Sequence, residues 1–98
     1  MGNRHILKMW DGDQHFQAVL DKRKTFDVRV NDRRPRYAVN DTVLFKECSH
    51  RGYTGREIEK KIIFMQPGYE DGFIPPWHGI RAGYVGLGLG DIDDTNKA

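Results

Sequence analysis

Residues 24 to 33, Lys-Thr-Phe-Asp-Val-Arg-Val-Asn-Asp-Arg, hold the densest run of chemically versatile side chains in this 98-residue chain. In an extended strand alternate residues face opposite ways, so Thr25, Asp27, Arg29 and Asn31 share one face and Phe26, Val28 and Val30 the other. A hydroxyl, a carboxylate, a guanidinium and an amide in a row have fixed spacing, which a binding or catalytic surface needs. The pattern predicts a strand whose apolar face, Phe26, Val28 and Val30, lies on the core and whose polar face carries the chemistry. A solvated edge strand would show the same alternation, with an Asp and an Arg two residues apart contributing well under ~1 kcal/mol.

Charge points the same way. The net charge is +2, but Asp91, Asp93 and Asp94 against Lys97 give the last eight residues −2, leaving +4 on the body. Residues 22 to 36 hold Lys22, Arg23, Lys24, Arg29, Arg33, Arg34 and Arg36 against Asp27 and Asp32, a local net of +5. Cations clustered along one segment suit a polyanion, because each neutralised phosphate releases condensed counterions. A sequence pI near 8.8 is also compatible with ordinary surface charge.

The length suits one domain with a single modest core. At 38% hydrophobic and 31% charged, with eleven aromatic residues among Trp, Tyr and Phe, the composition fits a globular chain. No apolar run approaches the ~20 residues of a membrane span, and Met1 to Trp10 lacks the apolar stretch of a signal peptide. The expectation is a cytoplasmic protein without membrane contact. Cys48 is the one cysteine, which excludes an internal disulfide and a Cys-pair zinc site; neither metal nor cofactor is expected.

The elements that must position the polar row follow in order. Arg4 to Trp10 reads as a short strand with apolar residues of both parities, expected inside the sheet, with His5 hydrogen-bonded in a structural role. Asp11 and Asp13 are candidate N-caps for an amphipathic helix with Phe16, Val19 and Leu20 at helical spacing, ending near Asp21. Asn31 to Arg36 is a turn by composition, Asn40 suits a positive φ in a second turn, and Thr42 to Glu47 is the next strand. Ser49 to Arg56 reads as a loop and Glu57 to Gln66 as a strand with Ile58, Ile62 and Phe64 on one side. Pro67 to Ala82, with Phe73, Ile74, Trp77 and His78, is a long Gly- and Pro-rich loop whose aromatics suit either a lid that stacks on bases or a plug at the barrel end. Val85, Leu87 and Leu89 alternate with Gly86, Gly88 and Gly90, which predicts close backbone approach by the helix or a crossing strand. The fold class is α+β, mainly β: a small mixed β-barrel with one early helix packed on it, residues 1–90, followed by a flexible acidic tail, 91–98.

The combination His5-x-Leu7-Lys8, Phe16-x-Ala18-Val19, Lys24-Thr25-Phe26-Asp27-x-Arg29-x-Asn31-Asp32-Arg33, Val39-Asn40-Asp41 and Gly52-Tyr53-Thr54-Gly55-Arg56 resembles the DUF3850 family, a branch of the ASCH group in the PUA-like superfamily. The resemblance runs from Arg4 to Leu89 and implies a PUA-like barrel whose cleft, between the early helix and the sheet, binds RNA or a nucleotide-like ligand. Carried over, the site is Lys8, Lys24, Asp27, Arg29, Asn31, Asp32 and Arg33, with Tyr53 and Arg56 on the neighbouring loop. Asp27 stands where Glu is usual, Asn40 where Gly is usual, and Lys22 where the helix-to-strand turn has Gly, which predicts a positive φ at a cost of about 1 kcal/mol.

Two classes of function follow. In a binding module for RNA or a modified nucleoside, Lys8, Arg29, Arg33 and Arg34 contact phosphates, Asp27 and Asn31 read base edges, and Tyr53 or Trp77 stacks. In a small hydrolase, an amidohydrolase on a modified nucleoside or a ribonuclease, Lys24, Asp27 and Glu47 are catalytic. The family resemblance implies a Lys-x-x-Thr arrangement in such relatives, and Asp27 occupies the Thr position. A carboxylate there serves as a general base and not as a hydroxyl nucleophile.

Overall fold

A computed structural model describes residues 2–12, 14–68 and 79–92. Among them run β1 (Arg4–Trp10), α1 (His15–Leu20), β2 (Phe26–Val30), β3 (Thr42–Ser49), β4 (Gly52–Gln66) and β5 (Tyr84–Asp91). The strands form one sheet in the order β1-β3-β4-β5-β2, with β1 parallel to β3 and every other pair antiparallel. The chain is thus mainly β with one short helix, a mixed sheet curled into a half-barrel. Phe16 and Val19 of α1 pack into a core with Leu7, Val43, Phe45, Ile62 and Leu87.

The two edge strands, β1 and β2, face each other across the opening of the barrel. Thr25 accepts from Leu89 N–H and Asn31 N–H donates to Gly83, so odd-numbered β2 residues bond to β5. The N–H and C=O groups of Phe26, Val28 and Val30 therefore point away from β5, towards the opening. On β1, Asn3 accepts from Thr42 N–H and Asp11 N–H donates to Cys48, which turns the backbone groups of Ile6, Lys8 and Trp10 to the opening from the other side. Two arginines bridge the gap: Arg29 Nη2 donates to Lys8 O at 3.0 Å and Arg33 Nη2 to Ile6 O at 2.9 Å. Among the described residues, side chains rather than a strand ladder complete the closure.

This geometry inverts the expected faces of the 24–33 strand. Phe26, Val28 and Val30 are 58%, 41% and 46% exposed, whereas Asp27 is 5% exposed. The pairing explains the inversion, because Asp27 lies opposite Leu87 and Arg29 opposite Val85, while Phe26 and Val28 lie opposite Gly88 and Gly86. The apolar parity of β5 fills the barrel, and β2 residues opposite it must point the same way. A buried carboxylate there is sustained by paired cations.

Other expectations are corrected in the same way. β1 is an edge strand with strict alternation, His5, Leu7 and Met9 inward and Ile6, Lys8 and Trp10 outward. The predicted loop 49–56 is a tight hairpin, so Tyr53 and Arg56 stand on β4. Within β4 the register slips between Ile62 and Phe64, and this bulge switches parity, leaving Ile62 buried and Phe64 61% exposed. The cap of α1 is Gln14 with φ 59°, and among the described residues no side-chain cap hydrogen bond is made there; Asp13 lies outside the described residues. Against the glycines of β5 lie Phe64 Cβ, 3.1 Å from a Cβ placed on Gly88, and Ile80 Cδ1, 3.3 Å from one on Gly86, not the helix.

Lys22 and Asn40 take positive φ, 64° and 80°, as predicted, and Val85, Leu87 and Leu89 face inward. His5 holds its structural place, its ring N–H donating to Asp41 Oδ2 at 2.8 Å with both side chains buried. The aromatic loop, with Phe73, Ile74, Trp77 and His78, and tail residues 93–98 lie outside the described residues. Among the described residues no helix is long and apolar enough to cross a membrane.

Candidate functional site

The opening between β1 and β2 contains a cleft of about 370 Å³. Its lining comes from three elements: Lys8 and Trp10 from β1, His15 from the first turn of α1, and Lys24, Phe26, Asp27 and Arg29 on and just before β2. Asp27 is the buried anchor. Lys24 Nζ lies 3.1 Å from Asp27 Oδ1, and Arg29 Nε donates to Asp27 Oδ2. Arg29 also lies over the ring of Phe45, its Cζ 5.7 Å from the centroid, so the guanidinium is held by a carboxylate, a carbonyl and an aromatic face together. Lys24 Nζ is also 3.2 Å from His15 Nδ1, which brings a cation, a carboxylate and an imidazole to one wall.

A second pocket, about 460 Å³, opens on the outer face of β1 and the β3–β4 hairpin. Lys8 and Trp10 line it as well, joined by Cys48, Ser49, His50 and Tyr53. Trp10 and Tyr53 are each 57% exposed, and Lys46 Nζ lies 5.1 Å from the Tyr53 ring centroid. Lys8 is exposed and makes no side-chain bond or ion pair among the described residues.

The residues singled out in the sequence divide accordingly. Lys8, Lys24, Asp27 and Arg29 come together in the cleft, and Tyr53 lines the adjoining pocket. Arg33 crosses the opening to Ile6 O and lies over the Tyr37 ring, while Asn31 and Asp32 do not line the cleft. Tyr37, buried beside it, has its phenol pushed up by burial, with Arg33 and Arg29 opposing. Arg56 does not join the cleft either. Its guanidinium donates from Nε to Glu47 Oε1 at 2.9 Å and from Nη2 to Oε2 at 3.1 Å, lies over Phe16, and reaches Gln17 on α1. Thr54 Oγ1 donates to the same carboxylate at 2.8 Å. These bonds, led by Arg56 and opposed by burial, hold Glu47 below the usual carboxylate range. The register shift between Lys46 and Cys48 and the positive φ of Gly55 fold Thr54 and Arg56 over Glu47. Glu47 is thus a clamp between hairpin and helix, and it does not line the cleft that Lys24 and Asp27 line. Trp77 lies outside the described residues.

Trp10 and His15 escaped the sequence reading. Trp10 was legible in principle, since the alternation Ile6, Lys8, Trp10 against His5, Leu7, Met9 puts the indole beside Lys8 once β1 is known to be an edge. Nothing in the sequence brings His15 to Lys24, which meet only because α1 and its return turn run back to β2.

Fold and site together define a small half-barrel with a polar, cation-rich cleft at its open seam. The model of the family described as a domain of unknown function, DUF3850, matches residues 4–89, and the chain belongs to that family. No curated protein matches it.

Proposed function

We propose that this domain binds RNA or a nucleotide-like ligand in the cleft between β1, α1 and β2. The observation that carries this reading is the composition of the cleft. It combines an exposed indole, a lysine at the rim that is unpaired among the described residues, and a fixed carboxylate at the wall. A nucleotide presents the matching set: a π-face for Trp10, a phosphate for Lys8, and an amino group for Asp27, whose oxygens keep lone pairs beyond those used by Lys24 and Arg29. Arg29 and Arg33 donate to carbonyls across the seam, which favours Lys8 over them for the phosphate contact. The ASCH and PUA-like resemblance of the sequence motifs supports the same ligand class.

The test is fluorescence anisotropy of labelled single-stranded RNA against the wild type and Lys8→Ala. Lys8 is exposed and without a partner among the described residues, so its loss leaves the fold intact. The expected result is saturable binding that weakens with salt and drops about tenfold in the variant. Absence of binding to RNA and to nucleotides by the wild type overturns the reading.

The hydrolase alternative keeps one specific support, the contact of Lys24 with both Asp27 and His15 in a single cleft. There Asp27 would act as a general base on water, and Lys24 would stabilise an oxyanion. We leave Glu47 out of this scheme, because Arg56 and Thr54 hold it and it does not line the cleft. Release of an acyl group from an N-acylated cytidine by the wild type, abolished in Lys24→Ala, would establish this reading; no turnover at high enzyme concentration removes it.

A further inference from the structure

The two pockets share Lys8 and Trp10. We infer that they form one site, in which two consecutive nucleotides of a single strand sit on either side of Trp10 with their linking phosphate over Lys8. This rests on the nucleotide-binding reading above and specifies its ligand as a strand of at least two nucleotides.

Three observations carry it. First, Lys8 and Trp10 point outward from the same face of β1, two residues and therefore about 6.6 Å apart along the strand, so one cation and one ring are presented in series. Second, each pocket has its own second aromatic, Phe26 in the cleft and Tyr53 in the outer pocket, both more than half exposed. Phe26, Trp10 and Tyr53 with a lysine among them make the alternation of stacking surfaces and positive charge that single strands bind. Third, volumes of about 370 and 460 Å³ each fall in the lower part of the range that encloses a small ligand, roughly 300–1,000 Å³, and neither alone accommodates an extended strand.

The pockets differ in one respect that sets specificity. The cleft is lined by the carboxylate of Asp27, whereas among the described residues no acidic one lines the outer pocket. A base in the cleft is read through an exocyclic amino group, and a base in the outer pocket is held by stacking, which every base permits. Specificity therefore falls on one nucleotide and not on its neighbour.

Isothermal titration with 5′-mononucleotides, dinucleotides and a six-nucleotide RNA tests this in the wild type, Tyr53→Ala and Trp10→Ala, with circular dichroism and a urea midpoint as checks on folding. Tyr53 lines the outer pocket only. The wild type should bind dinucleotides at least tenfold more tightly than mononucleotides, and Tyr53→Ala should bring that ratio close to one. Trp10→Ala should weaken both ligands about tenfold, with Trp10→Phe recovering most of the loss. Equal affinity for one and two nucleotides, or a ratio untouched by Tyr53→Ala, overturns the two-nucleotide site and leaves nucleotide binding standing. No binding of any of the three probes to the wild type overturns both.

Discussion

Asp27 is the residue on which the seam depends. Its carboxylate is buried and met by Lys24 and Arg29, which are themselves only 18% and 25% exposed at the side chain. Removing one member of such a group leaves the others charged and poorly solvated, at a cost of about 3 kcal/mol or more. Asp27→Ala should therefore lower the urea midpoint by roughly that free energy, and Asp27→Asn by less, since the amide keeps one acceptor. An unchanged midpoint would mean that both cations find water once the carboxylate is gone. Asp41 is the comparable anchor at the opposite end of β1. Burial works to raise its pKa, but hydrogen bonds from the His5 ring, Asn3 N–H and Ala38 N–H together outweigh it and hold the carboxyl below its ordinary value. A lowered folded-state pKa gives stability that is complete above the unfolded value, near ~3.9, and is lost as pH falls through the folded one. Glu47 and Glu59 are shifted in the same direction, chiefly by Arg56 and Arg4. The fold should thus weaken between about pH 5 and pH 2. Asp41→Asn should be less stable at pH 7 by about 1–3 kcal/mol and less steeply dependent on acid, as read from denaturant midpoints at each pH.

Among the elements, β2 and its flanking turns show most clearly what a sequence conveys. Its strand character was legible from period-two alternation, and so was the placing of Asp27 and Arg29 on one face, whereas Lys24, of the other parity, was joined to them by the family resemblance alone. The direction of its faces was not, because alternation fixes which residues are together and leaves open which side is in. Only the pairing with β5 decides that, and pairing between distant segments has no local signal. The bulge in β4 hid in the same way: a one-residue slip after Ile62 moves Phe64 from the core side to solvent without changing the composition of the strand. Turns were more readable, since their chemistry is local. Lys22 at φ 64° carries a side chain where the backbone suits glycine, so Lys22→Gly should stabilise by somewhat less than about 1 kcal/mol, the loss of the Lys22–Asp91 ion pair partly offsetting the relief. Gly68 is the contrary case. A Cβ there would stand 2.5 Å from Tyr84 O and 2.8 Å from Arg81 O, both backbone atoms that cannot step aside singly. Gly68→Ala should cost about 2 kcal/mol or more in thermal or urea unfolding, within the range of overpacked sites.

Over the whole molecule, the concentration of charge on residues 22 to 36 overstates what a polyanion meets. Of its seven cations, Lys22, Arg23, Lys24 and Arg29 contact Asp91, Asp21 and Asp27. Arg33 and Arg34 donate to the carbonyls of Ile6 and Arg33. That leaves Arg36 from this segment, with Lys8 from β1, as cations whose side chains make no hydrogen bond or ion pair among the described residues. The composition displayed the charges, and only the fold revealed their partners, because Asp91 lies 69 residues from Lys22 and Ile6 lies 27 residues from Arg33. For the RNA binding proposed above, the partnering has a consequence that salt reveals. For single strands the logarithm of affinity falls with the logarithm of salt at a slope of about −0.7 per phosphate neutralised. One or two free cations predict a slope of about −1, whereas seven would predict about −5. Titrations of a labelled RNA between low and moderate salt should give the shallow value, with the remaining free energy supplied by stacking and therefore insensitive to salt. A slope steeper than about −3 would show that the arginines leave the seam to meet phosphates, and that the barrel opens when it binds.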